Sequence, residues 1–156
     1  MALRFRAAAP SDYAALEKLT LESFEPITWL KKVDERFGPL NGRDWRARWR
    51  KRFRRAFETQ RMLVGEAHGT VVAFASGTID EDTRLGYIDL LAVDRRFHGE
   101  GYGREMLRGM LACFKEQGCL HAHLECLSDN DVGNSLYRSE GFTEMARSVH
   151  WFLKIP

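Results

Sequence analysis

Six consecutive residues, His98-Gly99-Glu100-Gly101-Tyr102-Gly103, set a glycine at every second position of the chain. They follow an apolar run over residues 87–93, interrupted by Asp89, and a polar turn at 94–97. They precede Met106, Leu107, Met110, Leu111 and Phe114, which recur at helical spacing. The reading is strand, glycine loop, helix. Glycines let the backbone turn tightly and approach a ligand closely, so successive N–H groups and a helix N-terminus can converge on anionic oxygens; a pyrophosphate suits such a cradle. Two common cradles do not fit. A P-loop closes on Lys followed by Ser or Thr, whereas Gly103 is followed by Arg104-Glu105. A dinucleotide fingerprint has two residues between its last two glycines, whereas Gly101 and Gly103 are separated by one.

A second cluster lies downstream, Asn130-Asp131-Val132-Gly133-Asn134-Ser135-Leu136-Tyr137-Arg138-Ser139-Glu140-Gly141-Phe142. Together the two stretches resemble the signatures of the GNAT superfamily of acyl-CoA N-acyltransferases. The first signature has Arg or Gln, two residues, then Gly-x-Gly or Gly-x-Ala; Gly101-Tyr102-Gly103 supplies the glycines, and His98 stands where Arg or Gln is expected. The second has Asn, two residues, Ala, two residues, Leu-Tyr, three residues, Gly-Phe, and it fits with Gly133 in place of Ala. The resemblance runs from about residue 63 onward. It implies an α/β fold with a mixed, largely antiparallel sheet around a central parallel strand-helix-strand unit, and acetyl-CoA as cosubstrate.

The resemblance also assigns roles. The backbone of His98, Gly99, Glu100, Gly101, Tyr102, Gly103 and Arg104 would bind the pyrophosphate, and Asn130 would contact the pantetheine arm. That arm would lie against Leu91-Ala92-Val93, with a free N–H of Leu91 or Ala92 serving the thioester oxygen. Tyr137 takes the general-acid position, since a phenol of ordinary pKa about 10 is protonated at neutral pH and can donate to a departing thiolate. Asp89, a carboxylate inside an apolar strand, is the first choice of base, because strand alternation puts it on the face of Leu91. The competing reading is a salt bridge to one of the arginines. Glu125, Glu22 and Glu25 are the fallbacks. His121, His123 and Glu125 alternate on one strand, but no remaining ligand accompanies them, so no metal is expected. Cys126 reads as a small buried hydrophobe rather than a nucleophile.

Other elements must position these residues. Residues 3–7 read as a strand. Ser11 caps a first helix carrying Tyr13, Leu16, Leu19, Leu21 and Phe24 on one face. A second short helix spans 27–37, and Asn41 with Asp44 starts a third. Strands follow at 62–67, 71–79 and 85–93, joined by short polar turns and hence antiparallel. A helix over 104–117, a strand over 120–127, a helix opened by residues 128–130 and ending at Glu140, and two strands at 142–145 and 149–155 complete the chain. Phe24, Trp29 and Trp151 are candidate walls of the acceptor site.

The chain has 156 residues, enough for one domain spanning 1–156, with net charge +2. Trp45, Trp49, Phe53 and Phe57 mark the buried face of the third helix. Between Arg43 and Arg55, eight basic residues against Asp44 alone leave +7 in thirteen positions, so the rest carries −5. That face fits plain solvation, an acidic substrate, the 3′-phosphate of CoA, or nucleic acid. Three cysteines without metal-type spacing, no apolar run beyond five residues and no signal-peptide core point to a reducing, cytoplasmic setting without membrane association. The expected activity is acetyl transfer from acetyl-CoA to the amine of a small molecule, peptide or protein by direct attack. The alternative is a non-catalytic acyl-CoA sensor or nucleic-acid-associated module on the same fold. The last strands offer an edge through which two copies could pair as a homodimer.

Overall fold

The computed structural model describes residues 2–156. Strand β1 (Arg4–Ala7) leads through a 3-10 turn (Pro10–Asp12) into helices α1 (Tyr13–Phe24), α2 (Trp29–Phe37) and α3 (Trp45–Thr59). Strands β2 (Arg61–Ala67), β3 (Thr70–Asp80) and β4 (Leu85–Val93) follow, then α4 (Tyr102–Glu116), β5 (His121–His123) and α5 (Asp131–Ser139). The sheet runs β1-β2-β3-β4-β5, antiparallel except for the parallel pair β4-β5. This is the expected α/β class with a parallel strand-helix-strand unit at β4-α4-β5.

The sheet is covered on both faces. On one, Leu16 of α1 and Trp45, Trp49, Phe53 and Ala56 of α3 pack on Val64, Phe74, Leu90 and Ala92. On the other, Met106, Leu107, Met110 and Phe114 of α4 pack on Ala73, Ala75 and Ile88. The four-residue spacing of aromatics in α3 therefore does what the sequence says, and Phe53 is fully buried. Thr28 ties the helical layer together: its hydroxyl oxygen accepts from Leu30 N–H at the start of α2 and from Trp49 Nε1 at 2.8 Å.

Several boundaries differ from expectation for local reasons. Ser11 does not cap α1; Asp12 ends the 3-10 turn, with its carboxylate turned back to the Ala9 N–H and to Arg6. Asn41 does not start α3. It and Gly42 adopt left-handed conformations (φ 53° and 71°), and Asp44 is the N-cap, accepting from the N–H groups of Arg46 and Ala47. The strand expected at 120–127 is only three residues long, because β5 pairs with β4 solely from Leu85↔His121 to Tyr87↔His123. The strands expected at 142–145 and 149–155 are absent. That segment meets no sheet edge within the chain, and Met145, Val149, Trp151, Leu153 and Ile155 are exposed.

Candidate active site

The β4 strand carries the irregularity that shapes the site. Its register with β3 shifts between Ser76↔Leu90 and Gly77↔Ile88, so Asp89 is the extra residue of a β-bulge. The bulge changes which face each side chain takes. Ile88 packs with α4, both Asp89 and Leu90 face α3, and Leu91 returns to the α4 side. Asp89 therefore does not share a face with Leu91, contrary to strict alternation. It accepts from Arg52 Nη2 and Gln60 Nε2, each at 2.8 Å, and its side chain is 11 % exposed. Gln60 in turn accepts from the Ser76 hydroxyl. The salt-bridge reading of Asp89 is the one the geometry bears out.

β4 and β5 part after Tyr87 and His123, just ahead of the bulge, leaving a gap beside the rest of β4. The Asp94 N–H donates to Val72 of β3, so by alternation the N–H and C=O of Ala92 also point toward β3, while those of Leu91 and Val93 point into the gap. Of the two N–H groups expected at a thioester, that of Leu91 points into the gap; that of Ala92 is turned toward β3 and its side chain is buried. The carbonyl of Val93 accepts from Ser23 Oγ and from His98 Nε2, so His98 folds back to anchor the loop to the strand it leaves.

The glycine loop ends on Gly101, whose left-handed conformation (φ 83°) turns the chain into α4. No side chain caps α4, which leaves the N–H groups at Tyr102, Gly103 and Arg104 without acceptors from a cap. Gly99 is also left-handed (φ 84°), and no atom would crowd a Cβ at Gly99 or Gly101. The side chains between have other occupations. Tyr102 is buried with its hydroxyl against His68, Glu100 lies 3.9 Å from the same imidazole, and Arg104 pairs with Glu140 together with Arg108. The loop and the first turn of α4 offer their backbone N–H groups to a ligand, an arrangement suited to phosphate oxygens at a helix N-terminus.

Across the gap, Asn130 caps α5 by accepting from the Gly133 N–H at 3.1 Å, and Asn134 Nδ2 holds the Leu127 carbonyl at 3.0 Å. Asn134 escaped the sequence reading because its task is to fix the loop between β5 and α5. Gly133 has a steric reason: a Cβ there would lie 2.8 Å from Asn130 Nδ2 and 3.1 Å from Cys126 Sγ. Tyr137 is largely enclosed, with Phe142 edge-on to its ring, and burial, followed by the neighbouring Cys126, pushes its phenol up to about 12. Burial likewise raises the Cys126 thiol.

A carboxylate group occupies the opposite face. The Tyr87 hydroxyl donates to Glu125 at 3.0 Å, and burial and that carboxylate push Tyr87 up to about 12. His123 leans on the Tyr87 ring and His121 is exposed; among the described residues no three His, Cys, Asp or Glu side chains converge as a metal site. Glu25 pairs with Lys31. Of the expected wall residues, Phe24 stacks on Trp49 and Trp29 on His150, while Trp151 stands 89 % exposed. The basic helix is partly neutralised, with Arg46 on Asp44, Arg48 on Asp34 and Arg52 on Asp89. Arg43, Arg50, Lys51 and Arg55 make no ion pair among the described residues. Among the described residues no helix is long and apolar enough to cross a membrane.

Comparison with known proteins agrees with this geometry. N-alpha-acetyltransferase 30 of Schizosaccharomyces pombe is 30 % identical over 71 residues, 46 % of this chain and 47 % of that protein. N-alpha-acetyltransferase MAK3 of Arabidopsis thaliana is 29 % identical over 89 residues, 57 % of this chain and 46 % of its own. The matches thus span about half the length of these curated relatives. The fold is shared with the ribosomal-protein-S18-alanine N-acetyltransferase of Escherichia coli (TM-score 0.70, 19 % identity, 92 % of this chain and 79 % of that one). It is shared too with the aminoglycoside N-acetyltransferase AAC(6')-Iy in complex with CoA (TM-score 0.68, 11 % identity, 98 % and 95 %). The Acetyltransferase (GNAT) family model matches residues 21–142, most of the chain. This chain therefore belongs to the GNAT acetyltransferase family, and the matched residues take in the gap after β4, the glycine loop and the Asn130–Phe142 motif.

Proposed function

We propose that this chain transfers an acetyl group from acetyl-CoA to a primary amine by direct attack. The carrying observation is that two sets of unpaired backbone groups, the N–H of Leu91 and Val93 in the gap and the first-turn N–H groups of α4, lie at the two ends of one strand-loop-helix junction. The junction suits a ligand with an amide-bearing arm and a pyrophosphate, and CoA has both. Gly99 to Arg104 would hold the pyrophosphate by backbone alone. Leu91 and Val93 would pair with the arm, and the Asn130 Nδ2 group, left over once Oδ1 caps α5, would add a donor.

The thioester supplies the activated acetyl group. The amine nitrogen forms the new C–N bond as the C–S bond breaks, and the thiolate leaves with the Tyr137 proton. A phenol near 12 stays protonated throughout the neutral range, so the donor is always ready. For the proton lost by the amine we assign Glu125 rather than Asp89. Asp89 is held by Arg52 and Gln60, whereas Glu125 is exposed beside the gap and engages only the Tyr87 hydroxyl. Acid and base thus sit on opposite faces of the sheet, with the gap between them.

Two relatives bear the name N-alpha-acetyltransferase, so a peptide α-amino group is the first acceptor to try. Purified chain, acetyl-CoA and a panel of peptides with free and blocked amino termini, alongside polyamines and amino sugars, would be followed by CoA release and by product mass. Acetylation of free amino termini alone supports the reading. Tight acetyl-CoA binding with no turnover on any amine would overturn catalysis and favour an acyl-CoA sensor.

A further inference from the structure

A carboxylate in the middle of an anion cradle works against it. Glu100 stands between Gly99 and Gly101, both left-handed, in the loop whose N–H groups suit phosphate oxygens. From His98 to Glu105 the other charged or titratable side chains with a free reach are tied down: His98 to the Val93 carbonyl, Arg104 to Glu140, and Glu105 to the Leu3 N–H. Glu100 has no Lys or Arg partner among the described residues, and a glycine on either side gives its backbone room to turn. Swung over the loop, its charge would oppose a pyrophosphate.

What holds it comes from the turn between β2 and β3. His68 sits there in a left-handed conformation (φ 54°) and reaches across to the loop. Its ring lies parallel to that of Phe97, with centroids 5.5 Å apart, and its Nε2 is 3.1 Å from the Tyr102 hydroxyl and 3.9 Å from the Glu100 carboxylate. Tyr102 is fixed by burial, edge-on to Phe97. After burial, the Glu100 carboxylate is what raises the Tyr102 phenol, so the hydroxyl turns its hydrogen toward Glu100 and the His68 Nε2–H donates to its oxygen. Imidazole, phenol and carboxylate then form one chain, anchored at one end in the hairpin and at the other in the loop.

We infer that His68 is a positioning residue for the acetyl-CoA site: with the Tyr102 hydroxyl it holds the Glu100 carboxylate on the hairpin side of the loop, away from the pyrophosphate. The inference rests on the reading of the glycine loop as the CoA cradle. His68 touches no part of the ligand in this account. It acts on affinity through the place it gives to one negative charge, and it has no part in the acetyl transfer itself.

The test is a double-mutant cycle read by calorimetric acetyl-CoA affinity of the full chain. His68→Asn suits the left-handed backbone and ends one atom short of the Tyr102 hydroxyl. It should weaken acetyl-CoA about fivefold, the scale of one charge drawing nearer a phosphate at a protein surface. In a Glu100→Gln background the same replacement should change affinity by less than about twofold, because no charge is left to hold aside. Tyr102→Phe cuts the chain at its middle while keeping the buried ring, and should repeat the pattern in both backgrounds. Melting curves establish that each variant is folded. Equal losses with and without Glu100 overturn the inference, since they would mark His68 and Tyr102 as plain packing. Unchanged affinity in both folded single variants overturns it too. A wild type that binds no acetyl-CoA overturns the reading of the loop as well, which separates the two failures.

Discussion

Replacing Tyr137 by Phe removes one oxygen and leaves the packing intact. The ring keeps its edge-on contact with Phe142 and its place against the α4 core. The hydroxyl makes no hydrogen bond within the described residues, and the one sealed-off unpaired side-chain atom among them is Arg48 Nε, not this one. No protein partner is orphaned, so stability should change by less than about 0.5 kcal/mol, the range of substitutions that disturb no packed or paired group. Turnover should respond very differently. A positioned general acid contributes roughly 100- to 10,000-fold, about 2.7 to 5.4 kcal/mol of barrier at 1.36 kcal/mol per decade. The assay is steady-state CoA release with the best acceptor, together with calorimetric acetyl-CoA affinity and a melting curve. The expected pattern is a fall in kcat of at least 100-fold, with affinity unchanged within twofold and the melting temperature within about 2 °C. A kcat within threefold of wild type on a folded, CoA-binding variant would refute the acid assignment.

Other perturbations probe the remaining parts. Gly101→Ala forces a Cβ into a left-handed turn (φ 83°) at a cost of about 1–2 kcal/mol, so it should weaken acetyl-CoA binding at least tenfold by calorimetry while lowering the melting temperature by several degrees. In Gly133→Ala the better helix former gains about 1 kcal/mol, but the new Cβ displaces the Asn130 amide and its cap, worth about the same; melting should be nearly unchanged while acetyl-CoA affinity falls. Glu125→Gln should lower kcat at least 100-fold with acetyl-CoA affinity unchanged, whereas Asp89→Asn should leave kcat within a few fold and lower stability by loosening Arg52 and Gln60. Tyr87 and Tyr137 hold their protons up to about 12 in the folded chain against an ordinary 10.0. Their contribution to stability is therefore complete below pH 10 and lost as pH rises toward 12. Melting curves over that window should fall more steeply for wild type than for Tyr137→Phe.

What the sequence made legible was local chemistry with a fixed period. Aromatics at every fourth position put α3 on the sheet, and the glycine loop with the Asn130–Phe142 motif located the gap and the helix beside it. What it hid was set by single hydrogen bonds or by distant partners. The parity of Asp89 was lost because a bulge is a mismatch between two strands, and neither strand announces it alone. The α1 and α3 starts differ from expectation because Ser, Asn and Asp can all cap: at α1 the Asp12 carboxylate is engaged by Arg6 and the Ala9 N–H and no side chain caps the helix, and at α3 Asn41 lies in a left-handed turn and Asp44 caps instead. The tail kept its strand pattern and lacked its strand, since alternation records what a segment can pair with and not whether a partner is present.

The bulge also explains how one strand serves two chemical environments. With regular alternation, Asp89 and Leu91 would share a face, and a charge would lie beside the residue whose backbone lines the gap. The extra residue instead sends Asp89 to the α3 side with Tyr87, and Leu91 to the α4 side. Charges gather on one face, where Arg52 compensates Asp89 and Glu125 has a hydroxyl donor. The other face stays apolar around Tyr137, and that dry environment holds the phenol near 12. A carboxylate pointing to the α4 side would raise that phenol further but would be buried there without the Arg52 that now balances it. Separation of the two faces keeps the acidic side chains of Asp89 and Glu125 apart from the enclosed Tyr137, and a single inserted residue in β4 produces it.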